Sequence, residues 1–228
     1  MIKYPNKKLG NHVMKIYLVR HAQSEANANY EVLRQKTNIA VHLTPNGVLQ
    51  AQEAGNILAK ELKDSLKIKV WNSPYNRTRQ TSEHIKNALR KENIHFDEEE
   101  SIYISERQFG LLDDNAENHI THKKELEHYV LHKEFHHDFW VRPPLGESPF
   151  DMCMRLDYFL RNVLLENYYD THVLVSHGAA VRGLITMKQK LPFEEYSKMA
   201  NPPNGSIQLI DNQEYKGIIF IPKMFTSY

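Results

Sequence analysis

The sequence predicts an α/β fold, a three-layer α/β/α sandwich with a mostly parallel central sheet and a helical and loop insert. Short, continuously apolar segments alternate with longer segments of helical periodicity along most of the 228 residues. Strands that are apolar on both faces are typical of parallel sheets covered by helices on both sides. A polar, histidine-rich stretch interrupts the alternation in the middle of the chain.

The first two strands and two long helices are predicted in the first part of the chain. Lys15–Val19 and Ile68–Trp71 are short β-type runs, and polar residues follow each of them. Thr44–Leu62 starts with a threonine that can cap a helix and a proline suited to the first turn, and its apolar residues recur at helical spacing. A second long helix is predicted for Arg77 to about Arg90.

The last part of the chain continues the alternation. Ser148-Pro149-Phe150-Asp151 has the form of a capping box, so a helix is predicted from there to about Tyr169. The remaining predicted elements are a strand at His172–Ser176, a helix at Gly178–Lys188, and a strand pair at Ser206–Ile210 and Gly217–Ile221.

The middle of the chain is less regular. We interpret the acidic run Asp97–Glu100 as a solvated face, and predict one helical segment at roughly Lys123–His137. No composition break marks a linker, so residues 14–228 are predicted to form a single domain with an insert at about 107–145. Residues 1–13 are polar and are predicted to be a loose N-terminal extension.

The composition excludes several classes of protein. The 29 Lys+Arg and 28 Asp+Glu nearly cancel, which argues against a nucleic-acid-binding surface. One cysteine, Cys153, excludes an intrachain disulfide and a multi-cysteine metal cage. No apolar run approaches the ~20 residues of a membrane span. We therefore expect a cytoplasmic protein without membrane or nucleic-acid partners, and its oligomeric state stays open.

Charged and polar side chains follow three of the predicted strands. Arg20 and His21 come at the end of the first strand, Arg77 follows the second, and His177 ends the third. Ligands of α/β sheets bind beyond strand ends, where helix N-termini also offer free N–H groups to anions. The sequence therefore predicts that these four side chains meet at one edge of the sheet.

In these segments the chain resembles the phosphoglycerate-mutase-like branch of the histidine phosphatase superfamily. The resemblance runs in family order over most of the chain, and five matches in order are far more specific than any one of them. They are Arg20-His21-Ala22-Gln23-Ser24 with Asn27, Ser73 to Arg77, Ser105-Glu106-Arg107-Gln108-Phe109-Gly110, Gly146-Glu147-Ser148, and Val175-Ser176-His177-Gly178 with Arg182.

The resemblance implies a phosphoryl transfer through a phosphohistidine, without metal or cofactor. His21 would attack phosphorus, which divides the displacement into two steps. Catalytic residues would also include Arg20, Arg77 and His177, which would bind the phosphoryl oxygens, with Asn27 as a neutral donor. Glu106 would be the general acid and then the base toward water, a role for which its burial must outweigh the positive charge nearby.

Five further residues have roles that the motifs leave open. Gln23 and Ser24 lie near the phosphate site by motif position, and Arg107 and Arg142 are candidates for substrate binding within the insert. Arg182 is either a structural ion-pair partner or a neighbour of the phosphate. The insert itself is expected to form a cap over the active site that selects the small phosphorylated substrate.

Departures from the family favour a phosphatase over a mutase. The segment Ala40-Val41-His42-Leu43-Thr44 lacks the aromatic-aspartate pair that usually precedes the leucine-threonine of the mutases, and the chain after Glu106-Arg107 lacks the rest of the segment that the mutases carry. Ala22 stands where glycine is frequent, and this substitution is expected to have little effect. A mutase must protect its phosphoenzyme from water, and therefore needs specific substrate-binding groups. The alternatives are a phosphoglycerate-mutase-type transfer and a non-catalytic protein that binds a phosphorylated ligand or a metal.

The metal alternative rests on the histidine cluster from His119 to His137. His128, His132 and His136 follow one another at one-turn spacing on a predicted helix, which suits transition-metal ligands. The segment lacks an HExxH motif, and the competing interpretation is a polar lid helix with exposed histidines. No metal is expected.

Overall fold

The computed structural model describes residues 14–113, 121–164 and 168–223. The predicted extension at 1–13 lies outside these residues. The strands are β1 (Lys15–Arg20), β2 (Ile68–Asn72), β3 (Asp97–Glu100), β4 (Thr171–Ser176), β5 (Ile207–Asp211) and β6 (Glu214–Phe220). The helices are α1 (Glu25–Ala28), α2 (Pro45–Glu61), α3 (Asn76–Lys91), α4 (Lys123–Phe135), α5 (Pro149–Tyr158), α6 (Gly178–Gln189) and α7 (Phe193–Lys198). Short 3-10 helices span Tyr30–Arg34, Asn38–Ala40, Ile102–Ile104 and Gly110–Leu112.

The six strands form one sheet in the order β3-β2-β4-β1-β5-β6. The four strands from β3 to β1 are parallel, whereas β5 and β6 are antiparallel to their neighbours. The predicted mostly parallel sheet is therefore confirmed, with the C-terminal strand pair at one side. No helix in the described ranges is both long and apolar enough to cross a membrane.

Helices cover both faces of the sheet. On one face, Tyr17 and Val19 of β1 belong to a core with α2 and α3. On the other face, Ile16 and Leu18 belong to a core with α5 and α6. The side chains of these four residues are buried. Alternate residues of one strand thus fill two cores, which explains why the strand is apolar throughout.

The starts of two helices follow from their sequences. Thr44 Oγ1 accepts a hydrogen bond from the Gly47 backbone N–H at the start of α2 (3.0 Å). Ser148 and Asp151 form the predicted capping box at the start of α5. The end of α5 differs from the prediction, because the α-helix stops at Tyr158 and continues as π-helical turns over Phe159–Leu164.

The acidic run Asp97–Glu100 is exposed, as interpreted from the sequence, but it is also a strand. It pairs in parallel with β2 at the edge of the sheet. Its carboxylates bind basic side chains of the neighbouring β2 and α3, including Glu99 with Lys69 and Glu100 with Arg79. Acidic residues have low strand propensity, so the ion pairs with β2 and α3 account for the strand at Asp97–Glu100. Charges on an edge strand also disfavour pairing with another chain.

One histidine is buried inside the sheet. His172 lies on β4, and its Nδ1 accepts a hydrogen bond from the Trp71 indole N–H (3.1 Å). Burial, together with the charge of Lys69, lowers the pKa of His172 from 6.5 to about 4. Protonation of Nδ1 would also break the bond to Trp71, so the fold requires the neutral imidazole.

This burial predicts a loss of stability in acid. The unfolded chain binds a proton at His172 below its ordinary pKa of 6.5, whereas the folded chain does so only near pH 4. The free energy of unfolding should therefore fall between these values, by about 3 kcal/mol from this residue alone. Denaturant unfolding of wild type and His172→Asn at pH 7.5 and pH 4.5 measures it, because the asparagine Oδ1 can still accept from Trp71. The variant should lose about 2–3 kcal/mol less than wild type on acidification. The exposed-site control His95→Asn should behave as wild type, and an equal loss in all three proteins would contradict the prediction.

Candidate active site

Three parallel strands end at the same level, and the side chains that follow them meet. In the pairing register, Arg20 of β1 lies opposite Ser176 of β4, and Asn72 of β2 lies opposite Val175. Backbone bonds extend this alignment one residue further, from His21 N to Ser176 O (2.8 Å) and from Ser73 N to Val175 O (3.1 Å). The structure therefore brings His21, Ser73 and His177 together, as the strand-end pattern predicts.

The His21 ring is held in one tautomer. Its Nδ1 lies 2.8 Å from the carbonyl oxygen of Ala22, which can only accept, so Nδ1 carries the proton. The other nitrogen, Nε2, accepts a hydrogen bond from Arg77 Nε (3.2 Å). Burial lowers the pKa of His21 well below its ordinary value, and the charges of Arg77 and Arg20 lower it further. The ring is thus neutral, and the lone pair of Nε2 faces a guanidinium.

His177 is a second buried, neutral imidazole beside the first. Its ring centroid lies 5.2 Å from that of His21 and 4.7 Å from that of Tyr75. Burial lowers its pKa well below the ordinary value, with further contributions from Arg77 and His21. Its Nε2 bonds Ser73 Oγ (2.8 Å). Its Nδ1 has no hydrogen-bond partner among the described residues and lies 3.9 Å from Oε2 of Glu106.

Backbone carbonyls, rather than carboxylates, hold the two arginines of the strand ends. Arg20 Nη1 donates to the carbonyl of Pro202 (2.6 Å), and Arg77 Nη1 donates to the carbonyl of Asn38 (2.7 Å). The Arg77 guanidinium also lies over the ring of Tyr75, 4.7 Å from its centroid. Carbonyl dipoles fix the position of each guanidinium without neutralising it, so the positive charge stays available to an anion.

Glu106 lies on the opposite side of this cluster. Its side chain is 14% exposed, and Oε1 accepts from the Arg107 backbone N–H (2.9 Å). The loop is fastened by Arg155 of α5, whose guanidinium donates to the carbonyls of Tyr103, Ser105 and Glu106. Arg155 also pairs with Glu147 (2.8 Å). The role of Arg155 could not be predicted from sequence, because the carbonyls that it binds lie about fifty positions earlier in the chain.

Gln23, Ser24 and Asn27 shape the loop after β1. Ser24 caps α1 in a capping box with Asn27. Asn27 Oδ1 accepts from Asn204 Nδ2 (3.0 Å), and Gln23 Oε1 accepts from Thr44 Oγ1 (2.8 Å). The side chains of Ser24 and Gln23 thus have structural partners, and Asn27 keeps only its amide N–H donors for a ligand. Asn204, which also donates to the His21 carbonyl (3.1 Å), was missed because it is distant in sequence.

A cleft of about 450 Å³ opens beside these groups. It is lined by Arg20, Glu106, Arg107, Phe109, His137, Asp138, Phe139, Pro149, Gly178, Ala179, Arg182, Tyr196, Ser197 and Asn201. The predicted candidate Arg107 lies in this cleft, together with Arg182. Arg182 does not form the ion pair considered from the sequence, since its Nη1 donates to the carbonyl of Met199 (2.9 Å).

Arg142, the other predicted substrate-binding arginine, is not brought to this cleft. Its guanidinium is exposed and pairs with Asp151, with Nε 2.8 Å from Oδ2. It lines a separate cavity of about 560 Å³ with His128, His132, His136 and His137. None of the strand-end residues lines that cavity. The Arg142 side chain is thus paired with Asp151, the same carboxylate that forms the capping box with Ser148.

The histidines of α4 stack along one side of the helix. The ring centroids of His128 and His132 are 4.5 Å apart, and those of His132 and His136 are 5.6 Å apart. In the part of the chain that the structure describes, no group of three or more His, Cys, Asp or Glu side chains is placed to hold a metal ion. His119 lies outside the described residues.

The chain is similar to known proteins in both sequence and structure. Residues 16–219 match the Histidine phosphatase superfamily (branch 1). The phosphoglycerate mutase-like protein AT74 of Arabidopsis thaliana is 28% identical over 212 residues, which are 86% of this chain and 64% of that protein. The chain therefore spans less than two thirds of that relative's length.

Two further proteins carry phosphatase names. The broad-range acid phosphatase DET1 of Saccharomyces cerevisiae is 21% identical, with 87% of this chain and 85% of that protein covered. A solved structure of a candidate alpha-ribazole-5'-P phosphatase from Escherichia coli superimposes with a TM-score of 0.69. It is 19% identical and covers 90% of this chain and 95% of its own, so it shows the shared fold.

The hydrogen bonds of His21 predict a specific NMR signature. Because Nδ1 donates to Ala22 and burial favours the neutral ring, the ¹⁵N spectrum of the free protein should show a protonated Nδ1 and an unprotonated Nε2. These signals should not titrate between pH 8 and pH 5.5, since the pKa lies well below 6.5. The His21→Ala variant provides the assignment, and the exposed His95 serves as the comparison within the same sample. A midpoint near 6.5 or a protonated Nε2 would refute this description of the site.

Proposed function

The chain belongs to the histidine phosphatase superfamily, branch 1, and on that basis we propose that it is a phosphatase of a small phosphorylated metabolite. In this proposal a phosphate monoester is hydrolysed through a phosphohistidine on His21. The observation that carries it is the fixed tautomer of His21, whose unprotonated Nε2 faces the guanidinium of Arg77 (3.2 Å). A nucleophile needs that lone pair, and a phosphoryl group needs that positive charge beside it.

In the first step, Nε2 of His21 would form the bond to phosphorus while the bond from phosphorus to the leaving oxygen breaks. A neutral imidazole can do this without first losing a proton. The Arg77 N–H that now bonds Nε2 would turn to a phosphoryl oxygen, with Arg20 on another oxygen. Charge spreads over these oxygens in the transition state, so fixed guanidinium donors stabilise the transition state more than they stabilise the bound substrate.

His177 would be the third phosphate ligand. If Ser73 donates its hydroxyl hydrogen to Nε2, the neutral ring carries its proton on Nδ1, which is the nitrogen without a partner in the described structure. That N–H could donate to a phosphoryl oxygen lying between His21 and Glu106. A neutral donor also avoids adding a third full charge beside the two arginines, which would raise the desolvation cost.

Glu106 would complete both steps as the acid and then the base. It would protonate the leaving oxygen in the first step. In the second step it would take a proton from water as the water oxygen attacks phosphorus and the bond to His21 breaks. Its position 3.9 Å from His177 and its low exposure of 14% support this role. Arg155 would act through Glu106, because it holds the loop carbonyls on both sides of the peptide that carries the carboxyl.

We also propose that the segment at about 107–145 caps the active site. Its residues Arg107, Phe109, His137 and Phe139 line the cleft that opens beside Arg20 and Glu106. Phe139 packs against Tyr196, with ring centroids 5.5 Å apart, which anchors this side of the cleft to α7. A cap that contributes side chains from a different part of the chain can vary the substrate without changing the phosphate site.

The mechanism predicts a strict requirement for His21. The His21→Ala variant should release no phosphate from 4-nitrophenyl phosphate above background, and Arg77→Gln should be slower by about 10²–10³. Wild type should form a phosphoenzyme that is labile in acid and stable in base, and EDTA should leave its rate unchanged. Arg161→Gln is the matched control, since Arg161 is exposed and pairs with Asp157. Phosphate release by His21→Ala would overturn the proposal, and so would a loss of wild-type activity on adding EDTA.

The role of Glu106 predicts a dependence on the leaving group. An alkoxide must be protonated as it leaves, whereas nitrophenolate leaves without help. Glu106→Gln should therefore lower kcat/KM for an alkyl phosphate by about 10²–10⁴ and for 4-nitrophenyl phosphate much less. Arg155→Lys should also lower kcat/KM more for the alkyl phosphate than for 4-nitrophenyl phosphate, but by a smaller factor. The substitution displaces the loop that carries Glu106 and leaves the nucleophile His21 in place. If Arg155→Lys lowers kcat/KM equally for both substrates, Arg155 contributes only to the stability of the protein and not to the position of Glu106.

A further inference from the structure

A glutamine lies on the buried face of α2. Gln50 is 1% exposed, whereas the other buried residues of this helix are all glycine, alanine or leucine. A buried amide costs free energy unless it forms hydrogen bonds, so a glutamine at this position requires a partner. Its Oε1 accepts a hydrogen bond from the backbone N–H of Gln23 (2.8 Å), which lies two residues after His21 in the chain.

This hydrogen bond holds the same peptide group that fixes the tautomer of His21. The group joins Ala22 to Gln23. Its carbonyl oxygen accepts from Nδ1 of His21 (2.8 Å), and its N–H donates to Gln50 (2.8 Å). In a planar trans peptide the oxygen and the hydrogen point in opposite directions, so one cannot turn without the other. Gln50 therefore keeps the carbonyl directed at the imidazole.

The segments on both sides of this peptide group are fixed to helices. The N–H of Ala22 donates to Oγ1 of Thr81 in α3 (3.1 Å), and the carbonyl of Gln23 accepts from the N–H of Thr44 at the start of α2 (3.0 Å). A peptide group between two fixed ends can still rotate about the single bonds that flank it. The bond to Gln50 opposes that rotation.

We propose that Gln50 is a positioning residue of the reaction, which acts through the peptide group between Ala22 and Gln23 to keep the proton of His21 on Nδ1 and to orient Nε2 toward the phosphate site. This inference rests on the proposed function, in which Nε2 attacks phosphorus. The hydrogen bond at one nitrogen of an imidazole determines which nitrogen carries the proton. Hydrogen bonds in a chain also polarise one another, so the bond to Gln50 makes the carbonyl of Ala22 a better acceptor.

The NMR signals of His21 test the inference without turnover. Gln50→Met removes the acceptor at nearly constant volume, so the Nδ1 proton of His21 should shift upfield as its hydrogen bond weakens. Gln50→Glu retains an oxygen that accepts from Gln23 and should keep the wild-type signal. Gln208 supplies the matched control, because it is a second buried glutamine and its Oε1 accepts from the hydroxyl of Tyr215. Gln208→Met should lose stability without a change at His21.

Kinetics separate positioning from stability. Gln50→Met should lower kcat/KM for 4-nitrophenyl phosphate by about 10- to 100-fold, because a small displacement of the nucleophile slows the chemical step. Its affinity for inorganic phosphate, measured by calorimetry, should equal that of wild type, since the phosphate ligands are unchanged. Gln50→Glu should recover most of the lost rate, and Gln208→Met should keep the wild-type kcat/KM.

The two measurements distinguish failure of this inference from failure of the proposed function. If wild type releases no phosphate but Gln50→Met alone shifts the Nδ1 proton, the proposed function fails and the role of Gln50 in holding His21 stands. If wild type is active and Gln50→Met keeps either the proton signal or kcat/KM, the inference is overturned. Should Gln50→Met not fold, Gln50→Asn replaces it under the same criteria, because the shorter side chain stays polar but withdraws its oxygen from Gln23.

Discussion

The structure is organised around two guanidiniums beside two neutral imidazoles. Arg77 is buried and Arg20 half-buried next to His21 and His177, and among the described residues their hydrogen bonds go to backbone carbonyls rather than to carboxylates, while the charge of Glu106 acts on both from further away. Each guanidinium charge raises the cost of protonating the histidines, and burial raises it further. The same arrangement therefore keeps the nucleophilic lone pair available and makes the site attractive to a dianion.

Removing a guanidinium from water is costly, and the surrounding fold supplies hydrogen-bond acceptors as compensation. The carbonyls of Pro202, Asn38 and Met199 accept from Arg20, Arg77 and Arg182. Carbonyl dipoles stabilise a guanidinium without cancelling its field, so the charge still acts on a ligand. These carbonyls come from segments far from the strand ends in sequence. The segment between α7 and β5 and the loop before α2 are thus part of the site, although they carry none of its chemistry.

How much of this was predictable depends on whether the information is local. The strands ending in Arg20, His21 and His177 follow from short apolar runs, and the capping box at Ser148 follows from four consecutive residues. The edge strand Asp97–Glu100 was not predicted as a strand, because its stability comes from pairs with Lys69 and Arg79 rather than from strand propensity. The roles of Arg155 and Asn204 depend on contacts between distant segments. Arg142 looked equivalent to Arg107 in sequence, and only the structure separates the exposed ion pair from the cleft residue.

The abundance of histidine in the composition conceals three distinct physical situations. His21 and His177 are neutral because arginines and burial hold them so, whereas His172 is neutral because it is packed in the sheet with Trp71. The histidines of α4 stack on one another along a cavity that none of the strand-end residues lines. Burial and the neighbouring arginines hold the pKa of His21 well below its ordinary value, so the nucleophile keeps its lone pair near neutral pH. Protonation of any of these three buried imidazoles opposes folding, because burial lowers the pKa of each below its ordinary value. The same burial that stabilises the fold near neutral pH therefore keeps the lone pair of His21 available for phosphate chemistry.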